Sequence, residues 1–359
     1  MISGDEQPAA ARLQVSIRAA DGRLLRLLQD RLLPDTDRAL PLQTTVSWSD
    51  DGRQVLMLQR GRLTLFGGPD WQPIQSLQVS TDQRPATKAA VRGGAGQPLQ
   101  AATASGRETL LWDLTTGQAT ARFRTHSSGR LTADISSDAA CVLTASDALR
   151  AFDVRDGSPT RGRTLYRLPA TEMHSGVLAE ARFSPAAGDL RFLSCDLSGD
   201  LRLWQHHTDS LPKSLLRLPA SAEPQPAWAA DFGILSFASR VAWRPNGTGF
   251  AALQQGRLRY WQVAADSETA DGAGKPEEVL LQLPTGLDCR FNDLTWSDDG
   301  LVLAAGGLAF RAADAVLLSA ACVWRFQGGQ AELVAVLQDD PENERIPANS
   351  DNGQPGGIT

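Results

Sequence analysis

One short phrase, a turn followed by an alternating apolar run that ends on an aromatic residue or Leu, occurs seven times along this chain of 359 residues. The copies are residues 23–29 (RLLRLLQ), 62–68 (RLTLFGG), 108–114 (ETLLWDL), 148–154 (ALRAFDV), 200–206 (DLRLWQH), 257–263 (RLRYWQV) and 321–326 (ACVWRF). Such a unit cannot bury its apolar face alone, so its copies must stack on one another. The aromatic anchors Phe66, Trp112, Phe152, Trp204, Trp261 and Trp324 are 46, 40, 52, 57 and 63 residues apart. These intervals lie close to the period of about 40 to 50 residues that a four-stranded antiparallel unit occupies.

A second phrase runs upstream of most copies: residues 46–52 (VSWSDDG), 134–138 (DISSD), 181–185 (ARFSP), 241–247 (VAWRPNG) and 294–300 (LTWSDDG), with a degraded version near 89–96. Alternation with period two sets Val46 and Trp48, or Leu294 and Trp296, on one face of a strand. The Asp-Gly and Asn-Gly pairs supply the positive φ that tight hairpins need. After the aromatic phrase comes an outer run closing on Leu-Pro in residues 165–169, 215–219 and 280–284. Proline cannot donate to a ladder, so it ends the outer strand where the chain turns back. The chain therefore reads as all-β, built of four-stranded propeller blades.

Residues 173–185 (MHSGVLAEARFSP) and 192–204 (FLSCDLSGDLRLW) together resemble one nearly complete repeat of the WD-repeat family of β-propellers. His174 stands in the family's histidine place, and Trp204 ends the third strand. Residues 125–138 match in length, with His126 in the same place. Trp112 and Asp113 form the one literal Trp-Asp pair, and Phe152 with Asp153 is its degenerate copy. The resemblance implies a blade-stapling network running from a His through a turn Asp and a strand Ser or Thr to the Trp. His174, Ser194 and Trp204 match it, whereas Ser198 stands where the turn Asp is expected, so the network is expected to be incomplete. The repeats lead to an expected ring of seven blades whose N-terminal blade is degenerate and incomplete, because residues 13–42 lack an innermost strand, with a six-bladed ring and an N-terminal appendage as the rival. The expected organisation is a flexible leader over 1–12, a single propeller domain over 13–338 and a disordered polar tail over 339–359.

Composition narrows the function classes. With 42% hydrophobic and 21% charged residues the chain fits a soluble globular protein, and no apolar run approaches the ~18 to 20 residues that a membrane-spanning helix needs. The opening MISGDEQPAAAR is acidic and polar where a secretory signal would be basic and then apolar, so the expected location is the cytoplasm. A net charge of −6 argues against a nucleic-acid partner, since phosphate binding needs a positive field. Cys141, Cys195, Cys289 and Cys322 are too scattered for a zinc site or a redox pair. The Ala, Leu and Arg bias, with Lys88, Lys213 and Lys275 as the only lysines, suggests a GC-rich bacterial coding sequence.

No catalytic, cofactor or metal site is indicated. No histidine has a matched Ser or Cys in a nucleophile motif, and the Gly-rich 93–96 lacks the strand-to-helix setting of a phosphate loop. His206 and His207 read as surface residues, and Asp50/Asp51 and Asp298/Asp299 as turn residues. The rival class, a channel-type propeller enzyme or small-ligand binder of the lactonase or quinone-dependent kind, needs carboxylates, a metal or a cofactor cradle at the axis. The innermost strands are instead dominated by Val, Ala, Ile and Leu.

Insertions carry the functional expectation, because a repeat scaffold tolerates extra residues only where they project. Residues 221–239 bring Trp228, Phe232, Ile234, Leu235 and Phe237 into one between-repeat loop, read either as a protein-contact surface or as a plug over the channel. Residues 306–320 form a long hairpin with Leu308, Phe310 and Arg311 near its tip, on the same face in the family topology. The expected function is a non-catalytic protein–protein interaction scaffold, a subunit or sensor module of a bacterial multiprotein system. A detached module of a larger machine is a third alternative.

Overall fold

Six of the seven aromatic phrases become the third strand of a four-stranded antiparallel meander, and the first does not. The structure, a computed structural model, describes residues 12–18, 24–32, 44–49, 51–59, 61–79, 88–94, 97–105, 108–124, 132–174, 176–220, 225–231, 238–263, 276–327 and 329–338. Strands β1 (Arg12–Arg18) and β2 (Leu24–Leu32) pair with each other in a two-stranded sheet. Blade one is β3 (Thr44–Trp48), β4 (Gln54–Gln59), β5 (Arg62–Gly67) and β6 (Gln72–Gln78). Blade two is β7 (Lys88–Gly94), β8 (Gln97–Ser105), β9 (Glu108–Asp113) and β10 (Gln118–Arg124). Blade three is β11 (Thr132–Ile135), β12 (Cys141–Ala145), β13 (Ala148–Asp153) and β14 (Thr164–Pro169), followed by the single-turn helix α1 (Ala170–Met173). Blade four is β15 (Leu178–Phe183), β16 (Arg191–Asp196), β17 (Leu201–Gln205) and β18 (Lys213–Leu218), followed by helix α2 (Ala227–Asp231). Blade five is β19 (Arg240–Trp243), β20 (Gly249–Gln254), β21 (Arg257–Gln262) and β22 (Glu277–Val279). Blade six is β23 (Leu287–Trp296), β24 (Val302–Arg311), β25 (Val316–Gln327) and β26 (Gln330–Gln338). In every blade the strands are hydrogen-bonded in chain order.

The expected seven blades are thus corrected to six. The copy at 23–29 lies in β2, whose only strand partner among the described residues is β1. Without an innermost strand and its turn to seed a second hairpin, two strands cannot fill a four-stranded slot. The expected leader and tail lie outside the described residues, apart from Arg12 at the start of β1. Among the described residues no helix is long and apolar enough to cross a membrane.

The chain divides into two compact units, Met1–Pro219 and Ala220–Thr359. Within the first, the core lies between adjacent sheets. Leu56, Leu58 and Leu63 of blade one pack against Val91, Ala101 and Trp112 of blade two. On the other face of blade two, Leu111 and Phe123 meet Ile135, Val142 and Phe152 of blade three, with Phe123 stacked on Phe152 at 4.6 Å. Tyr166 of blade three packs with Phe183, Phe192 and Trp204 of blade four. In the second unit Tyr260 of blade five meets Cys289, Trp324 and Phe326 of blade six. Each such aromatic, fully buried, contributes on the order of 2 to 3 kcal/mol.

Two features of the ladders carry no sequence signal. In five blades the fourth strand bulges one residue just before the aromatic anchor, so that Ile74, Thr120, Leu165, Leu215 and Val334 have no direct partner. Such bulges strengthen the local twist. Blade five is the exception: β22 has only three residues, and 280–284, expected as its outer strand, are irregular. That segment serves blade six instead, with Leu281 packed in the core there and the Gln282 carbonyl accepting the Trp324 indole N–H at 2.8 Å.

Asp51, Asp298 and Asp299 of the acidic pairs are turn residues, and Asp50 lies outside the described residues. Ser49, Ser136 and Ser297 each donate their hydroxyl to a carboxylate two residues on, Asp51, Asp138 and Asp299, and accept the backbone N–H of Gln54, Cys141 and Val302. The residue after each Asp takes a positive φ: Gly52 at 66°, Gly300 at 66° and, without glycine's freedom, Ala139 at 55°. A β-carbon in this region costs about 1 to 2 kcal/mol. We therefore expect Ala139→Gly to stabilise the chain by up to about 1 kcal/mol, once the greater flexibility of an unfolded glycine is discounted. Urea unfolding of the two forms checks this, and a less stable variant would mean that the half-buried Ala139 methyl matters more than its dihedral strain.

Candidate functional site

Two clusters stand out, one polar and inside blade four, the other apolar and at the hairpin of blade six. In blade four, the indole N–H of Trp204 donates to Ser194 Oγ at 2.8 Å, and Ser194 Oγ lies 2.8 Å from His174 Nε2. An indole can only donate, so Ser194 Oγ accepts from Trp204, and the direction of its bond with Nε2 follows the imidazole tautomer. The other ring nitrogen, Nδ1, faces Asp200 Oδ2 at 3.5 Å. The acid is Asp200, two positions beyond Ser198, where the repeat pattern puts it. Ser198 donates instead to Asp196 Oδ1, which also accepts the Asp200 backbone N–H. The turn of sequence DLSGD thus brings Asp200 close to the ring from a shifted position, while Nδ1 itself makes no hydrogen bond among the described residues.

His174, Asp196 and Asp200 are the one set of three metal-type ligands that converge among the described residues, their donor atoms lying within 4.8 Å of one another. Chain partners already use these atoms. Arg217 forks onto both oxygens of Asp200 at 3.2 Å, and Asp196 Oδ1 accepts the two bonds above. The arrangement holds a blade together and leaves no coordination site facing solvent. Blade two has a shorter version, Trp112 Nε1 to Thr103 Oγ1 at 2.9 Å, while Asp113 accepts the backbone N–H of Thr115 and Thr116. Burial raises the Asp113 carboxyl, and those backbone bonds outweigh it, so its pKa falls. His126 lies outside the described residues.

Two groups escaped the sequence reading. His206, read as a surface residue, is 2% exposed and bonds the Tyr166 hydroxyl across blades three and four at 2.9 Å. His207 is exposed. The innermost strands also carry buried charge: Asp134 accepts the Phe183 backbone N–H at 2.8 Å and lies 3.7 Å from both Arg92 and Arg182, while Arg182 also pairs with Glu180 at 2.9 Å. This mutual pairing links the first strands of blades two, three and four.

The apolar cluster gathers the insertions. Trp228, in α2, is 6% exposed and stacks on Phe310 of β24, with centroids 5.7 Å apart. Its indole N–H donates to Asp288 Oδ2 of β23 at 2.7 Å, and Leu317 of β25 completes the packing. Leu308, Phe310 and Arg311 are half-buried, and Arg311 forks onto Asp314 across the hairpin tip. Gly307 lets β23 approach, since a β-carbon there would collide with the Arg290 carbonyl. Phe232, Ile234, Leu235 and Phe237 lie outside the described residues.

No protein-family profile matches the chain, and no curated protein matches it in sequence. Among solved structures it is similar to the β-propeller domain of Cps50 (Swd1) from Myceliophteria thermophila, with a TM-score of 0.61 and 15% identity over 83% of this chain and 86% of that one. The fold is therefore a β-propeller, here with six four-stranded blades.

Two outcomes test the polar core. Ser194→Ala leaves both the Trp204 N–H and the His174 ring without their partner, and we expect a loss of about 2 to 4 kcal/mol in urea unfolding. Burial pushes the pKa values of His174 and His206 down, the former against the raising effect of Asp200 and Asp196. The unfolded chain therefore binds more protons below the ordinary histidine value near 6.5, so stability is full above that pH and falls as pH drops beneath it. The slope is at most about 1.4 kcal/mol per pH unit for each histidine. Unfolding at pH 7.5 and 5.5 measures it, and His206→Gln should flatten the dependence.

Proposed function

We propose that the chain is a non-catalytic WD-repeat interaction scaffold, a cytoplasmic subunit or sensor module of a bacterial multiprotein system, whose contact surface is the blade-six hairpin with the 221–239 loop. The observation that carries this reading is the clasp of Trp228 on Phe310. Strands β24 and β25 have 10 and 12 residues, while the second and third strands of the other blades have 5 to 9. A hairpin longer than its blade requires has no architectural reason to be stiffened, and a tryptophan that fixes it lowers the entropy cost of presenting its tip to a partner. In this reading Trp228 is the anchor, and Leu308, Phe310, Arg311, Phe232, Ile234, Leu235 and Phe237 form the face offered. The lysine-poor composition favours the bacterial setting.

Affinity purification from the native host with mass spectrometry tests it. A tagged chain should carry a reproducible partner, and the double variant Leu308→Ala, Arg311→Ala should lose that partner at least about tenfold with its melting temperature unchanged. Trp228→Ala should destabilise the second unit by about 3 to 5 kcal/mol, as expected for a buried aromatic. Retention of the same partner by the double variant at the wild-type level would refute the assignment.

A further inference from the structure

A cavity of about 450 Å³ lies between blades five and six, lined by Arg244, Tyr260, Leu301, Val302, Arg325 and Phe326 among others. Three of these residues differ from their counterparts in the other blades. Arg244 stands at the turn position held by Ser49, Ser136, Ser184 and Ser297. Tyr260, just before the aromatic anchor, replaces an aliphatic residue, namely Leu65, Leu111, Ala151, Leu203 and Val323 in the other blades. Arg325, just after the anchor, reverses the charge of Asp113 and Asp153.

The backbone of the Arg244 turn is the ordinary one: its N–H bonds the Gly249 carbonyl at 2.8 Å, Gly247 closes on Arg244 at 2.9 Å, and Asn246 replaces the turn aspartate. The side chain, however, leaves its own turn. Its Nε donates to the Gly300 carbonyl of blade six at 2.7 Å, and the guanidinium lies over Trp296 and Phe326 at 5.8 and 5.7 Å. Among the described residues no carboxylate lies within ion-pair distance of either Arg244 or Arg325. The Asp299 carboxylate on the rim has one oxygen engaged by the Ser297 hydroxyl and the Leu301 N–H. Tyr260 is 1% exposed, and its hydroxyl is buried without a hydrogen-bond partner. Burial raises its pKa against the lowering effect of Arg244, so it remains a neutral donor.

We propose that this cavity binds a small organic oxyanion, a phosphate monoester or carboxylate carried on a short apolar arm. The anionic head sits between the Arg244 and Arg325 guanidinium groups and accepts the Tyr260 O–H, while the arm lies along Leu301, Val302 and Phe326. Two unpaired guanidinium groups against one partly engaged carboxylate leave a positive balance, and charge-assisted bonds to arginine are the strong kind. The volume falls within the ~300 to 1,000 Å³ range of small-molecule pockets.

Calorimetric titration of the full chain with phenyl phosphate, benzoate and, as a neutral control, phenol tests the assignment. Saturable one-to-one binding of phenyl phosphate or benzoate, but not phenol, is expected. Arg325→Ala and Tyr260→Phe should each weaken it by about tenfold, the loss of one charged or buried hydrogen bond. Arg325→Ala should melt at the wild-type temperature, since the exposed Arg325 side chain has no ion pair to lose, and Tyr260→Phe at or above it, since the ring contacts with Trp296 and Phe326 stay and a buried hydroxyl is removed. Arg53→Ala, which removes an exposed arginine of blade one, should change nothing. Failure of both anions to bind at about 10 mM, equal binding of phenol, or binding that survives both substitutions would overturn the proposal.

Discussion

A sheet apolar on both faces must be covered on both. The second strands of this chain are that case: Val55 to Leu58, Cys141 to Ala145 and Phe192 to Cys195 are buried residue after residue. An alternating strand can present one face to water, whereas a continuous apolar run cannot. Every blade thus takes its stability from its neighbours, and the apolar clusters cross blade boundaries accordingly. Stability in such a scaffold is a sum of nearest-neighbour terms. The outer strands contribute least to it, which is why β22 can shrink to three residues while Leu281 of the segment after it packs against blade six.

Burial on this scale creates a polar problem that the blades solve individually. A tryptophan ending the third strand brings an N–H into the core, where an unmet donor costs a few kcal/mol. Blade four answers with Ser194, His174 and Asp200, blade two with Thr103 alone, and blade six with a backbone carbonyl, that of Gln282. Blade three avoids the problem by using Phe152, and there the Thr144 hydroxyl is buried unmet. The repeat conserves an aromatic shape and lets the hydrogen bonding vary.

Strand order, the turn phrases and the third-strand anchors were legible in the sequence because period two, Asp-Gly turns and aromatic spacing are local signals. The long blade-six hairpin was legible too, since an insertion between two phrases has one place to go. Blade count was not: the copy at 23–29 looks like its siblings, and only the pairing of β1 with β2 shows it outside any meander. Asp200 was missed because fixed spacing assigns a role to position 198, whereas a turn can deliver a carboxylate from either side. The buried carboxylates Asp134 and Glu180 and their half-buried partners Arg92 and Arg182 escaped for a different reason. In sequence they are ordinary polar positions of an alternating strand, and only the approach of three first strands makes them mutual partners.

What the repeat does not require is therefore the more informative part. A serine at the blade-five turn would recover the bonds that Ser49, Ser136 and Ser297 each make within their own hairpin. Arg244 forgoes them and gains a carbonyl bond and two ring faces in the adjacent blade. Those contacts use the stem, one nitrogen and the flat faces of the guanidinium. They account for a donor and a cation at this position, and they give the guanidinium no carboxylate partner among the described residues. Tyr260 poses the same question, because phenylalanine would fill its place without burying an unmet hydroxyl. A buried hydroxyl without a hydrogen-bond partner and a guanidinium without an ion pair, lining one cavity from the same blade, are explained together by a group that meets both.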